Sequence, residues 1–373
     1  MIIKNAKVFK DDFKFHVEDI YIKDEYFADL APEDGQVIDG SGLYAIPGLT
    51  DIHFHGCVGY DFCDGTKEAF DAISRYQGEN GVTTICPATM TLPEEELARI
   101  VEAAKNYEHT EGAILVGINM EGPFISEKKK GAQNDKYIKV PDIDFYRRLQ
   151  EKSGNMIKLV EVAPEEEGAM EFIKAVKDEV VVSIAHTVAD YDVAMAAFKQ
   201  GVRHVTHFYN AMPPFLHRAP GVIGAASDTE GIYAELICDG VHIHPSVVRT
   251  TFKFMGPEKM VLISDSMEAA GMPDGRYSLG GQEVELVGNK PTLVSDGAIA
   301  GSATNLMDCM KTTVRDMGIP LEVAVRAAAV NPAKAIGIYD KYGSIEPGKV
   351  ANLVLLDEEL NTKAVFIKGK KYA

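Results

Sequence analysis

The sequence predicts an α/β protein, a (β/α)8 barrel of the TIM type that carries a small β-sandwich domain made from both chain termini. Three observations predict it. Between residues 47 and 339, short apolar runs alternate with stretches of helical periodicity, the order expected of parallel strands joined by crossover helices. Eight such strands can be counted, which favours a closed barrel over an open sheet. Both ends of the chain read as strands alone, and pieces of two or three strands cannot bury enough surface in isolation. Residues 1–46 are therefore expected to pair with 340–373 beside a barrel of residues 47–339.

In chain order, the first strands fall at 2–9, at 15–23 across the Asp11-Asp12 turn, and at 36–39. Barrel strands are predicted at 45–55, 82–88, 114–121, 157–163, 180–186, 204–207, 232–238 and 259–265. Helical periodicity occupies 66–77, where Ala69, Phe70, Ile73 and Tyr76 form the inner stripe, then 93–107, 142–152, 168–177, 190–200, 245–254 and 304–317. A further helical stretch, 320–335, leads back to two terminal strands at 351–357 and 364–370. The region 277–299 breaks the pattern: Val284, Leu286, Val287 and Leu293 alternate between glycines, which predicts a β insertion after the eighth strand.

Composition excludes several functions. The 373 residues carry a net charge of −18, which repels a phosphate backbone or an anionic lipid surface, so neither nucleic acid nor membrane is an expected partner. A small anionic substrate is still compatible, because donors clustered in a cleft outweigh a diffuse, salt-screened field. Five cysteines, an odd number without a CxxC pair, fit a reducing cytoplasmic setting. Lys4 and Lys7 interrupt what would have to be the apolar core of a signal peptide, and no later apolar run reaches membrane-spanning length. The expectation is a soluble, cytoplasmic protein.

Chemistry concentrates at the predicted strand ends. His53 and His55 sit two apart in a strand, so the pleat aims both imidazoles at one side. Glu121 ends the third strand, His186 the fifth, His207 the sixth and Asp265 the eighth, and barrel active sites form at that rim. Each has a structural alternative: Glu121 as a loop cap, His186 as a packed core residue, Asp265 as a helix N-cap. Their joint placement favours metal ligation. His204, three residues before His207, is expected on the opposite face, pointing outwards. Lys128-Lys129-Lys130 and Glu165-Glu166-Glu167 read as solvated loop charges, and Cys57 and Cys63 as ordinary thiols.

The segments carrying these residues resemble the amidohydrolase superfamily and, within it, the N-acetylglucosamine-6-phosphate deacetylase family, along the whole chain. They are Pro47-Gly48 to His55-Gly56, Asn119-Met120-Glu121-Gly122-Pro123-Phe124, Ala185-His186-Thr187, Thr206-His207-Phe208-Tyr209-Asn210-Ala211-Met212, Ile237-Cys238-Asp239-Gly240-Val241-His242, Ser264-Asp265-Ser266-Met267-Glu268-Ala269-Ala270-Gly271 and Asn331-Pro332-Ala333-Lys334-Ala335. The resemblance implies metal-dependent hydrolysis of the acetamide of N-acetyl-D-glucosamine 6-phosphate. Glu121, His186 and His207 would hold one divalent ion and His53 and His55 a second, with Glu121 between them in place of the carboxylated lysine of many relatives. Zinc is the default for such ligands, and iron, manganese or cobalt would satisfy the same set. Water activated there would attack the amide, and Asp265 would take its proton and return it to the departing amine.

For the sugar phosphate, the resemblance implies the backbone amides of Asn210 and Ala211, the Arg218 guanidinium from either subunit of a homodimer, His242 on the sugar or the carbonyl, and Ala132 and Gln133 on the sugar. Some relatives carry a histidine where this chain has Gln133, which can hydrogen-bond a hydroxyl but cannot become cationic. Three alternatives stay open: the galactosamine epimer as substrate, a cyclic amide as substrate, and a barrel that binds without catalysis. The complete ligand set argues against the last.

Overall fold

The two chain ends meet in one mixed sheet of eight strands. Tyr44–Pro47 is its junction: it runs parallel to Ile2–Phe9 and antiparallel to Leu353–Leu356, which in turn pairs with Thr362–Ile367. Ile3, Val8, Ile20, Ile22, Phe27, Leu355 and Phe366 form a separate apolar core under this sheet. The computed structural model describes residues 1–373.

The predicted first barrel strand breaks in two. Tyr44–Pro47 belongs to the terminal sheet and Leu49–Asp51 begins the parallel one. Gly48 is the hinge, because a Cβ there would lie 2.2 Å from Thr83 Oγ1. Leu49–Asp51, Val82–Ile85 and Ile114–Leu115 then pair in parallel. Ile118–Met120, Ile157–Val162, Val181–Ile184, His204–Val205, Tyr233–Ile237 and Met260–Ile263 form a second parallel series in chain order. A bridge between Ala88 and Asn119 joins the two series on one side. On the other, the Asp265 N–H donates to His53 O at 2.9 Å and the His55 N–H to Ser266 O at 2.7 Å. The result is a curled parallel sheet with α/β architecture.

Helices cover its outside, and side-chain caps explain their starts: Thr66 accepts from Ala69 N, Asp142 from Phe145 N, Asp190 from Val193 N and Asn305 from Asp308 N. One helix, Gly221–Ser227, was not predicted. Six of its seven residues are buried, so it has no polar face and no amphipathic period to betray it. The insertion is a three-stranded antiparallel sheet, Gly275–Leu279, Gln282–Val287 and Lys290–Leu293. It packs Leu279, Val284 and Leu286 against Met90 and Met267. No helix is long and apolar enough to cross a membrane.

Inside the curl lies an unexpected polar layer. Thr50, Thr84, Asn119, Glu161, Ser183, His204, Thr206 and Glu235 are all fully buried. His204 therefore points inwards, with Nδ1 3.1 Å from Ser183 Oγ and Nε2 3.7 Å from Glu235 Oε1. This corrects the sequence expectation. Alternation fails between His204 and His207 because the strand ends at Val205 and His207 takes φ +26°, which turns its side chain to the rim.

Candidate metal centre and active site

Glu121 stands between two pairs of histidines. Its Oε2 lies 3.1 Å from His55 Nε2 and 3.5 Å from His53 Nε2, and its Oε1 lies 2.9 Å from His186 Nε2 and 3.4 Å from His207 Nε2. The ligand atoms of His53, His55 and Glu121 fall within 4.8 Å of one another, and so do those of Glu121, His186 and His207. Asp265 Oδ1 is 3.5 Å from His55 Nε2 and 3.9 Å from His53 Nε2. All six side chains are buried. His186, His207 and Asp265 have positive φ, at +43°, +26° and +50°, conformations that cost strain and cluster where function needs them.

The far ring nitrogens decide the tautomers. His53 Nδ1 faces Glu235 Oε2 at 3.0 Å, His186 Nδ1 faces Lys129 O at 2.8 Å, and His207 Nδ1 faces Asn210 O at 3.2 Å. Each Nδ1 meets an acceptor, so it carries the proton and leaves a lone pair on Nε2. His186 Nε2 and His207 Nε2 then face each other at 3.2 Å, an arrangement that repels unless a cation sits between them. His53 Nε2 and Glu121 Oε2 are buried without a hydrogen-bond partner. Each of the two donor groups, with Glu121 common to both, could hold a divalent ion.

Electrostatics agree with that donor set. Burial pushes the Glu121 pKa up, but His53, His186 and His207 outweigh it and hold the carboxylate well below its usual range. Burial likewise opposes ionisation of Asp265, and His55 and His53 overcome it, so Asp265 is a carboxylate able to accept a proton. For His55, burial lowers the pKa while Asp265 and Glu121 together push it up to about 10. Protons and metal ions therefore compete for the same ligands.

The site opens into a cavity of about 300 Å³. His55, Glu121, His186, His207 and Asp265 line it beside Ala132, Gln133, Asn210, Ala211 and His242. The chain matches the profile of the Amidohydrolase family over residues 44–372. It belongs to the amidohydrolase family. It is 36% identical to the N-acetylglucosamine-6-phosphate deacetylase of Bacillus subtilis (strain 168), over 99% of this chain and 93% of that protein. It is 32% identical to the N-acetylgalactosamine-6-phosphate deacetylase of Escherichia coli O157:H7, over 94% and 93%. Among solved structures it is similar to a mutant N-acetyl-D-glucosamine-6-phosphate deacetylase from Mycobacterium smegmatis in complex with N-acetyl-D-glucosamine-6-phosphate. That match has a TM-score of 0.93 and 29% identity, and covers 100% of this chain and 99% of the other.

Other residues singled out in the sequence fare differently in this amidohydrolase. Arg218 is exposed on the loop after Met212 and does not line the cavity of its own chain. Asn210 N–H already donates to His207 O at 2.8 Å, whereas the Ala211 N–H makes no hydrogen bond within the chain. The Gln133 side chain is buried in the wall, where Oε1 accepts from Thr91 N at 2.7 Å. Cys57 and Cys63 are thiols whose pKa burial raises. Lys128 and Lys129, expected as solvated charges, line the cavity, as do Met90, Leu279 and Ile299, which sequence reasoning passed over. The signal for Leu279 and Ile299 was their place at the edges of the predicted insertion, directly after the strand that ends in Asp265.

His242 is held by Asp239, whose Oδ2 lies 2.7 Å from its Nδ1. Burial lowers the His242 pKa, but the hydrogen bond and charge of Asp239 prevail and raise it. A raised pKa keeps the imidazolium to higher pH, so Asp239→Asn is expected to lower the pKa of His242, read from its NMR titration. An unchanged titration would remove Asp239 as the cause of the shift.

Proposed function

We propose that this amidohydrolase hydrolyses the acetamide of N-acetyl-D-glucosamine 6-phosphate, releasing D-glucosamine 6-phosphate and acetate. One observation carries the reading: Glu121 offers one oxygen to each of two histidine pairs while Asp265 stands beside the first pair. Full-length similarity to deacetylases of acetamido sugar phosphates supports it. His53 and His55 would hold one ion and His186 and His207 the other, with Glu121 shared and zinc the first choice for this ligand set. Bound there, divalent ions acidify water and polarise an amide carbonyl. Asp265 accepts the proton of the attacking water and delivers it to the amide nitrogen, without which an amine does not depart.

The free Ala211 N–H, the Asn210 side chain, Lys128 and Lys129 supply donors for the phosphate, His242 contacts the sugar or its carbonyl, and Ala132 and Gln133 shape the sugar wall. Arg218 reaches the phosphate from the partner subunit of a homodimer, a reading supported by its exposure next to the exposed Phe215 and Leu216. Arg218→Ala is expected to raise KM roughly 10- to 100-fold for phosphorylated substrates only. Equal losses on unphosphorylated substrates would remove that role. The curled sheet is read as a closed eight-stranded barrel spanning 47–339, and the terminal sheet of 1–46 and 340–373 as a sandwich folded over its own core. Reduced cysteines support a cytoplasmic setting.

The experiment is acetate release from the glucosamine and galactosamine epimers, phosphorylated and not, using chelated and metal-restored enzyme. Metal-dependent turnover of the phosphorylated glucosamine epimer is expected. Preference for the other epimer, favoured by the similarity to the galactosamine enzyme, would replace the substrate assignment and leave the chemistry standing.

A further inference from the structure

Carboxylates buried inside a sheet are costly unless their bonds return the cost, and Glu235 is completely buried. Its side chain makes two hydrogen bonds, both through Oε2: one with His53 Nδ1 at 3.0 Å, the other from the His207 backbone N–H at 3.0 Å. The second oxygen, Oε1, has no hydrogen-bond partner. The Glu235 hydrogen bonds therefore go to the candidate metal centre alone, and its other polar neighbour is His204, whose Nε2 lies 3.7 Å from Oε1. We propose that Glu235 is the positioning residue that locks the two halves of the metal centre in register, because a single oxygen grips His53 of the first half and the backbone of His207 of the second. This rests on the metal-centre reading above.

The geometry explains why one carboxylate suffices. His53 follows the first parallel strand and His207 the sixth, so they approach from different parts of the curl, and no hydrogen bond joins them directly. Glu235, on Tyr233–Ile237, lies beneath both. Its Oε2 fixes the His53 proton on Nδ1 and leaves Nε2 free, aimed at Glu121 Oε2. It also fixes the left-handed turn at His207, whose imidazole would otherwise swing with its backbone. Glu161 is the obvious rival. Its Oε1 is 3.6 Å from His53 Nδ1, beyond a hydrogen bond, and that oxygen accepts instead from Asn119 Nδ2 at 3.1 Å. Glu161 makes no contact with His207 N–H.

The test uses the full chain, stripped of metal and titrated with zinc against a chromophoric chelator and with cobalt by visible absorption. Wild type is expected to take two equivalents, the one lost in His53→Ala marking the first pair. Glu235→Gln and Glu235→Asp are expected to weaken both equivalents, that one most, by about 10- to 100-fold, and to broaden the cobalt spectrum, while the metal-free melting temperature holds or rises. Glu161→Gln is expected to change either equivalent by less than about threefold. Unchanged affinities in both Glu235 variants would overturn the proposal, as would a lowered metal-free melting temperature with equal loss at both equivalents, which would mark a merely structural residue. An effect of Glu161→Gln as large as that of Glu235→Gln would overturn the assignment to Glu235. Wild type that binds no metal would instead overturn the metal-centre reading itself, and with it this proposal.

Discussion

Asp265→Asn is expected to lower kcat about 10³-fold, with metal content and KM close to wild type. Asparagine keeps the shape and one oxygen but can neither accept a proton nor return it. Loss of a general acid-base group typically costs 10²- to 10⁴-fold, and about 10³-fold corresponds to about 4 kcal/mol on the barrier. Because the proton moves only in the transition state, kcat and kcat/KM should fall together. The check is steady-state kinetics on acetate release with metal measured in the same preparation. Activity within tenfold of wild type would assign the proton transfer elsewhere, and a fall in bound metal would make Asp265 a ligand instead.

The second large effect is expected at Glu121. Its two oxygens divide between the histidine pairs, so Glu121→Gln removes the shared anion from both at once. Both metal equivalents should be lost on dialysis, with activity falling by about 10³-fold or more, whereas His53→Ala should release one equivalent and keep the other. Metal analysis after dialysis decides between them. A Glu121→Gln protein that holds one tight equivalent would show that the carboxylate belongs to one half of the centre and does not bridge.

The polar layer beneath the histidines is what separates this curled sheet from an inert scaffold. The buried face of a parallel sheet is usually filled by branched aliphatic side chains, yet here Glu161, Glu235, His204, Ser183, Thr206 and Asn119 are buried beneath the site. Burying two carboxylates destabilises a fold unless something nearby is gained. At Glu235 the gain is the orientation of His53 and His207, which places the function of this layer at the metal centre.

Much of this was legible along the chain. Two histidines two residues apart after the first parallel strand, a carboxylate or histidine after four later strands and a break in periodicity at the insertion are local patterns, and local patterns survive in one dimension. Glu161 and Glu235 were equally visible as lone acids inside apolar strands, in Ile157–Val162 and Tyr233–Ile237. Periodicity places them on a face without saying what that face meets.

Residue types and their order thus determined the candidate ligand residues, the strand-helix succession and the acidic surface, because each follows from side-chain chemistry and short-range geometry. Only the folded chain decided that Glu121 divides its oxygens between two histidine pairs, that His204 turns inwards while His207 turns to the rim, that Lys128 and Lys129 face the cavity, and that Arg218 stands outside it. These depend on left-handed turns at strand ends and on contacts between residues far apart in the chain, such as His53 and Glu235, 182 positions apart. Such contacts are made by the curl of the parallel sheet, which brings residues far apart along the chain together.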